Sequence, residues 1–445
     1  MLGSNRIIMK KNILIQDATD LITDYQLLFD LQSKLSEESN KYYQRKQLKK
    51  IKLCLTGAAN NGVALQAKTD TKRNITSLST VGACHCHSVF CPVCAPYRMN
   101  QYKTLLASAF KMFEQQNKAC IMVTFTVPNS KKLTFWQNFS VLKVNLNKFL
   151  TSGSYKKFKK LIGATDIFHA FDVTYGKNGW HPHYHSLIWF DKDKFNLIEK
   201  YELNLRYVWE KQFAKIINHQ IEENEISQYT QGIQSIKPDD YSKEVQTKFI
   251  DKVKNLKEYV MQNDKESGFY ISKNKDGKIR KATNSNYFWS ATNETTGGKF
   301  KQAHEGQRTV WQLLNDALYN NDELAWEKWK EITADSYGLQ LYRLSKNTKQ
   351  KILDWQQQHP EEYEKISKKK FIKKELIIWL PKDEWYFFKN YFPNILGNIS
   401  KLLYLKILIP DLQQILKKIC DLYNIKCSLE YNPYDNLSTA NKNVA

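Results

Sequence analysis

Three of the nine histidines in this chain fall within five residues, His181-Pro182-His183-Tyr184-His185. They run straight into the apolar stretch Ser186-Leu-Ile-Trp-Phe190. Such a run of bulky apolar residues reads as a strand over His183 to Phe190. Alternate side chains of a strand share a face. His183 and His185 therefore present two imidazoles side by side, a pair of candidate metal ligands.

A second strand, Phe168 to Tyr175, precedes them across Gly176-Lys-Asn-Gly-Trp180. Asn178-Gly179 is a strong hairpin signal, because both residues accept the positive φ of a type I′ turn. With those two at the turn, Asp172 lies opposite His185, Thr174 opposite His183 and Gly176 opposite His181. Cross-strand partners share a face. Asp172, His183 and His185 thus converge on one side, with His181 on the same face as a further candidate ligand, while His169 points to the other side. Two imidazoles and one carboxylate leave coordination positions open for water and a phosphate oxygen. Mixed nitrogen and oxygen ligation suits Mn²⁺ or Mg²⁺ and also admits Zn²⁺.

A second metal candidate is structural. Cys86, Cys91 and Cys94 have C-x4-C-x2-C spacing, with Cys84 or Cys54 as the fourth ligand and His87 in reserve. Four thiolates closing a tetrahedron fit a structural Zn²⁺. Cys120, Cys420 and Cys427 are isolated and read as core residues.

The charge balance points to a polyanion. Lys and Arg number 67 against 45 Asp and Glu, a net charge of +22. That excess suits nucleic acid or an acidic membrane surface. Aromatic residues reach 13%, and base stacking needs such side chains. The longest apolar region, Asn394 to Leu416, is broken by Lys401, Lys406, Pro410 and Asp411, so no membrane span is expected. Met1 to Asp17 has no secretory signal, and a cytoplasmic protein is expected. Gly297-Gly298-Lys299 is followed by Phe300, which leaves no phosphate loop for an ATPase.

Several of these pieces resemble the rolling-circle replication initiators of bacterial plasmids. His-Pro-His-Tyr-His after a Gly-Trp turn looks like their His-hydrophobic-His motif. Cys86-His-Ser-Val-Phe-Cys91-Pro-Val-Cys94, followed by Arg98, resembles the Cys-rich segment ahead of the nuclease core in one large family of them. Ile121 to Val127 is similar to the first motif of that family. Arg308-Thr-Val-Trp-Gln-Leu-Leu314, Ala325-Trp-Glu-Lys-Trp-Lys330 and Leu344-Ser-Lys346 resemble its C-terminal segment. The similarity covers roughly residues 54 to 350.

The resemblance implies an α+β fold, with an antiparallel sheet of ferredoxin-like or RNA-recognition-motif-like type. A zinc-bearing N-terminal element and a helical C-terminal region would flank it. It also implies a tyrosine nucleophile on a helix, in a Tyr-x-x-Lys motif. Tyr259 occupies that region, on a basic helix predicted over Lys243 to Lys265, although Gln262 stands where the motif has Lys. Tyr270, with Lys273 at the literal spacing, is the second candidate. Arg98, Lys254 and Lys257 are the candidate DNA-contacting cations. Asn255 occupies the position where some members carry a glutamate that ends replication by hydrolysis.

The reaction implied is nicking and rejoining of plasmid-origin DNA, with a 5′-phosphotyrosine intermediate and a free 3′-OH. The partners implied are single-stranded or hairpin origin DNA, a host helicase and a host DNA polymerase. A transposase or relaxase of the same chemistry, a non-enzymatic DNA-binding regulator and a zinc hydrolase are the alternatives. The expected organisation is a polar, helical region over 1–75, an endonuclease over 76–280, a helical segment over 281–360 and a basic, helical region over 361–445. Within these, helices are predicted at Arg98 to Phe113, Thr309 to Tyr319 and Asp322 to Ile332. The tail Leu376 to Tyr431 is predicted to be mostly helical.

Overall fold

Apolar periodicity and capping residues account for most of the elements in the computed structural model. It describes residues 23–37, 46–71, 74–164, 166–218, 269–271, 303, 305–336, 338–367 and 372–434. Nine strands lie among the described residues. They are β1 (Val63–Asp70), β2 (Ile75–Val81), β3 (Lys118–Thr126), β4 (Asp166–Gly176), β5 (Gly179–Asp191), β6 (Phe269–Ile271), β7 (Gln307–Thr309), β8 (Tyr342–Leu344) and β9 (Ile372–Leu380). Every pairing among them is antiparallel, and helices surround the sheets, so the fold is α+β as expected. The chain divides into two units, Met1–Tyr97 with Ser367–Ala445, and Arg98–Ile366.

The first unit is built on the sheet β2-β1-β9. Its central strand buries Val63, Ala64, Leu65 and Ala67. The helix Asp24–Glu37 buries Leu27, Leu28, Leu31 and Leu35, spaced to form one helical stripe. Helices Lys382–Tyr391, Ile395–Tyr404 and Ile409–Leu422 follow β9. The expectation of a mostly helical tail therefore fails at its start, where Leu376 to Leu380 belong to a strand. Ile377, Ile378 and Leu380 are buried, and β9 pairs along the whole length of β1. A partner some 300 residues away settles this segment, which local periodicity does not reveal.

The second unit holds the sheet β6-β3-β5-β4-β7, with β8 also pairing to β4. One face carries Phe168, Leu187 and Trp189, packed against Leu106, Phe110 and Phe113 of the helix Cys94–Gln115. Phe113 and Trp189 approach to 4.9 Å between ring centroids. The other face carries Phe125 and Phe171. They meet Phe135, Phe139 and Phe149 of the helix Phe135–Thr151 and Trp209 of the helix Phe195–Asn218. An antiparallel sheet covered on both faces by aromatic-rich helices is a rigid base for a site at its polar end.

The start of the helix Phe135–Thr151 is set by a capping box. The Thr134 hydroxyl accepts from the Gln137 N–H, and the Gln137 side chain accepts from the Thr134 N–H at 2.8 Å. Thr309 and Gln312 repeat the device at Val310–Tyr319. Glu331 ties these parts together. Its Oε1 accepts from the Phe135 N–H at 2.7 Å and from Trp180 Nε1 at 3.0 Å, which holds the first turn of that helix to the start of β5.

The β4–β5 hairpin forms, with its turn one residue earlier than expected. Lys177 and Asn178 make the turn, and Gly176 pairs with Gly179. Positive φ falls on Gly179 (φ 86°), so the turn needs one left-handed residue and not the two of a type I′ turn. Asn129 Nδ2 also donates to the Asn178 carbonyl at 3.0 Å. The register changes by two residues. Asp172 faces His183 instead of His185, and His181 faces Thr174 instead of Gly176. An even shift leaves every side chain on its face.

Candidate functional site

Asp172 of β4 and His183 and His185 of β5 come together at the polar end of the second unit's sheet. Each offers one ligand atom, and these atoms all lie within 4.8 Å of one another. His183 Nε2 is 3.5 Å from Asp172 Oδ2. The His183 and His185 rings meet edge to face at 4.8 Å between centroids. His185 is buried, while Asp172 and His183 are partly exposed, so the cluster opens to solvent on one side.

The remaining polar atoms of the cluster are tied down. His183 Nδ1 lies 3.3 Å from the His181 carbonyl oxygen, an arrangement that places the proton on Nδ1 and the lone pair on Nε2. His185 Nδ1 lies 3.0 Å from the Thr124 hydroxyl, which leaves Nε2 as its ligand atom. Asp172 Oδ1 accepts from the Val173 N–H at 2.8 Å, and Oδ2 turns toward His183. Two Nε2 lone pairs and one carboxylate oxygen are a fit donor set for a divalent cation.

His181 stands outside this set. Its Nε2 is bonded to the Thr126 hydroxyl at 2.8 Å. Burial, with His183 adding, pulls His181 down to about 4, against an opposing effect of Asp172. His169 occupies the opposite face, with Nδ1 2.5 Å from Ser186 Oγ, and burial followed by Arg343 and Lys159 pulls it to about 4.

Thr124 and Thr126 are neighbours of the site that sequence spacing alone does not identify. Their signal is present in Ile121-Met-Val-Thr-Phe-Thr126, where two hydroxyls alternate on a strand. Nothing local says that this strand neighbours the histidines. The structure pairs Thr124 with His185 and Thr126 with His183 across β3 and β5. Trp209 Nε1 donates to the Thr126 carbonyl at 3.1 Å and anchors that end of β3.

Tyr259, Lys254, Lys257 and Asn255, with the predicted helix Lys243 to Lys265, lie outside the described residues. Tyr270 falls in β6, where its backbone pairs with that of Thr124 on the edge of β3 away from His185. Arg98, in the helix Cys94–Gln115, is partly buried.

The cysteine cluster lies in the first unit and consists of Cys54, Cys86, Cys91 and Cys94. Cys54 Sγ is 3.6 Å from Cys94 Sγ and 3.7 Å from Cys91 Sγ, and Cys86 Sγ is 3.7 Å from Cys94 Sγ. Sulfurs 2.3 Å from a tetrahedral zinc lie about 3.8 Å apart, so the separations match the edges of such a tetrahedron. The Cys86 N–H points at Cys54 Sγ at 3.5 Å and the Ser88 N–H at Cys86 Sγ at 3.4 Å. Burial pushes the Cys91 thiol well up, and four neighbouring thiols ionise together only when a cation offsets their charge. Of the two candidates for the fourth position, Cys54 joins the cluster. Cys84 is exposed and does not, and its backbone is hydrogen-bonded to Leu55 and Gly57. His87 is also outside the four, whereas His85 Nδ1 comes within 3.6 Å of Cys94 Sγ. Cys120 and Cys420 are buried, as expected of core residues, whereas Cys427 is only partly buried and its side chain lies beside that of Cys420, so these two are not isolated.

An antiparallel sheet that presents two histidines and a carboxylate on one face, in a chain with a four-cysteine cluster, fits the replication proteins of rolling-circle plasmids. A family model described as "Replication protein" matches residues 77–364, well over half of the chain, and the chain belongs to that family. No curated protein and no solved structure matches it. Among the described residues, no helix is long and apolar enough to cross a membrane.

Proposed function

We propose that this chain initiates rolling-circle plasmid replication by nicking and rejoining one strand of origin DNA. The observation that carries the reading is the meeting of Asp172, His183 and His185, whose ligand atoms lie within 4.8 Å in a member of a replication protein family. These three residues would hold Mn²⁺ or Mg²⁺. When bound, the cation supplies Lewis-acid polarisation of the scissile phosphate.

The nucleophile on this reading is Tyr259, with Tyr270 as the second candidate. Its phenolic oxygen attacks phosphorus, the bond to the 3′-oxygen breaks, and that oxygen leaves with a proton as a 3′-OH. The product is a 5′-phosphotyrosine, which conserves the phosphodiester for later attack by another 3′-OH. The free 3′-OH primes a host polymerase, and unwinding falls to a host helicase. Arg98, Lys254 and Lys257 would contact the DNA backbone. Cys54, Cys86, Cys91 and Cys94 would bind a Zn²⁺ that holds the first unit together.

The test incubates the protein with labelled single-stranded origin DNA and Mn²⁺ and looks for an adduct that survives denaturant. The expected adduct disappears in Tyr259→Phe. An adduct that survives this change but is lost in Tyr270→Phe moves the nucleophile to Tyr270. DNA binding without an adduct on any origin strand overturns the enzymatic reading in favour of a DNA-binding regulator.

A further inference from the structure

The two hydroxyls of β3 stand where they control the histidines of β5. Thr124 is 1% exposed, and its Oγ1 lies 3.0 Å from His185 Nδ1. Thr126 Oγ1 lies 2.8 Å from His181 Nε2 and 3.2 Å from the Pro182 carbonyl oxygen. A hydroxyl has one proton and two lone pairs. Thr126 donates to the Pro182 carbonyl and accepts from His181, which places the His181 proton on Nε2. Thr124 accepts from His185 Nδ1–H whenever His185 Nε2 holds a cation.

We infer that Thr124 and Thr126 are positioning residues that select two imidazoles, and not three, for the cation site. Thr124 holds the His185 ring with Nε2 aimed at the cation. Thr126 turns His181 away by engaging the nitrogen that would otherwise bind. His181 is close enough to matter, with its ring centroid 5.5 Å from that of His183. The consequence is chemical selectivity. Two imidazoles and a carboxylate suit a hard cation such as Mn²⁺ or Mg²⁺. A third imidazole would favour borderline ions such as Zn²⁺. Outer hydrogen-bond partners of metal-bound histidines commonly change metal affinity about 10–100-fold when removed.

This inference rests on the cation site of the proposed function, and the test separates the two. Mn²⁺ is the probe, because the thiol cluster is a poor ligand for it. Binding is titrated by electron paramagnetic resonance on the full chain, and coordinated imidazole nitrogens are counted by spin-echo modulation. Wild type should bind with two nitrogens. Thr124→Val should bind about 10–100-fold more weakly, and Thr124→Ser, which keeps the hydroxyl, should restore most of the affinity. Thr126→Val should add a third nitrogen. Unchanged affinity in Thr124→Val, or two nitrogens in Thr126→Val, overturns the corresponding part of the inference. A wild type that binds no Mn²⁺ overturns the cation site itself.

Discussion

Asp172 lies directly opposite His183 on the β4–β5 ladder, with its Oδ2 3.5 Å from His183 Nε2. The pair faces the same way as His185, two residue pairs along the ladder, because residues two apart on a strand share a face. An acidic oxygen is thereby placed beside two imidazoles at the open end of a well-packed sheet. The chemistry of the site follows from this pairing more than from the histidines alone.

Asp172→Asn keeps the shape and removes the charge. The rate of covalent adduct formation with Mn²⁺ should fall on the order of 10²–10³-fold, the scale seen when one group that stabilises developing charge is lost. Gel quantitation of the adduct against time measures it, and an unchanged rate would remove Asp172 from the cation site.

Cys54→Ser and Cys84→Ser should behave differently, because only Cys54 belongs to the four-sulfur cluster. Zinc content of the purified protein, read by atomic absorption, should drop sharply in Cys54→Ser and stay at the wild-type level in Cys84→Ser. Loss of a structural zinc costs several kcal/mol, so the Cys54 variant should also melt at lower temperature. Equal zinc in both variants would return Cys84 to contention.

Gly179 has φ 86°, and a Cβ added there would come within 2.7 Å of the Ser130 carbonyl oxygen. Gly179→Ala should destabilise the protein by about 1–3 kcal/mol through left-handed backbone strain, with the clash adding to it. The hairpin that aligns Asp172 with His183 should loosen as well. Denaturant titration reads the first effect and Mn²⁺ affinity the second.

His169 predicts a pH dependence. In the folded chain burial holds it at about 4, against an ordinary value of 6.5. Between these values the unfolded chain binds a proton that the folded chain does not, so stability falls as pH drops through the window. A shift of this size is worth on the order of 3 kcal/mol over the whole range. His181, also held near 4, acts in the same direction. Urea titrations at pH 7 and pH 5 should show the loss, and His169→Gln should reduce it. Equal pH sensitivity in that variant would show that other groups carry the effect.

Much of the site is legible along the chain because its parts are local. His183 and His185 share a face by the two-residue period of a strand, and Asp172 reaches them through a hairpin of adjacent segments. The misplaced turn shows the limit of local reasoning. Asn178-Gly179 signals a hairpin, but the pairing depends on which residue takes the left-handed conformation. Contacts with Asn129 and Ser130 bear on that choice. The Cys86, Cys91 and Cys94 spacing likewise announces a metal site without naming its fourth member.

What local chemistry can specify here is a set of faces: which side chains of a strand or helix point the same way, and which residues can end or cap it. That is enough for the histidine pair, the carboxylate beside it and three of the four cysteines. The assembly of those faces depends on contacts between residues far apart in the chain. Cys54 joins Cys94 across 40 positions, β9 pairs with β1, and Thr124 meets His185 across 61. Such pairings are set by packing and by the satisfaction of buried polar groups, which act through space and leave little trace in sequence spacing.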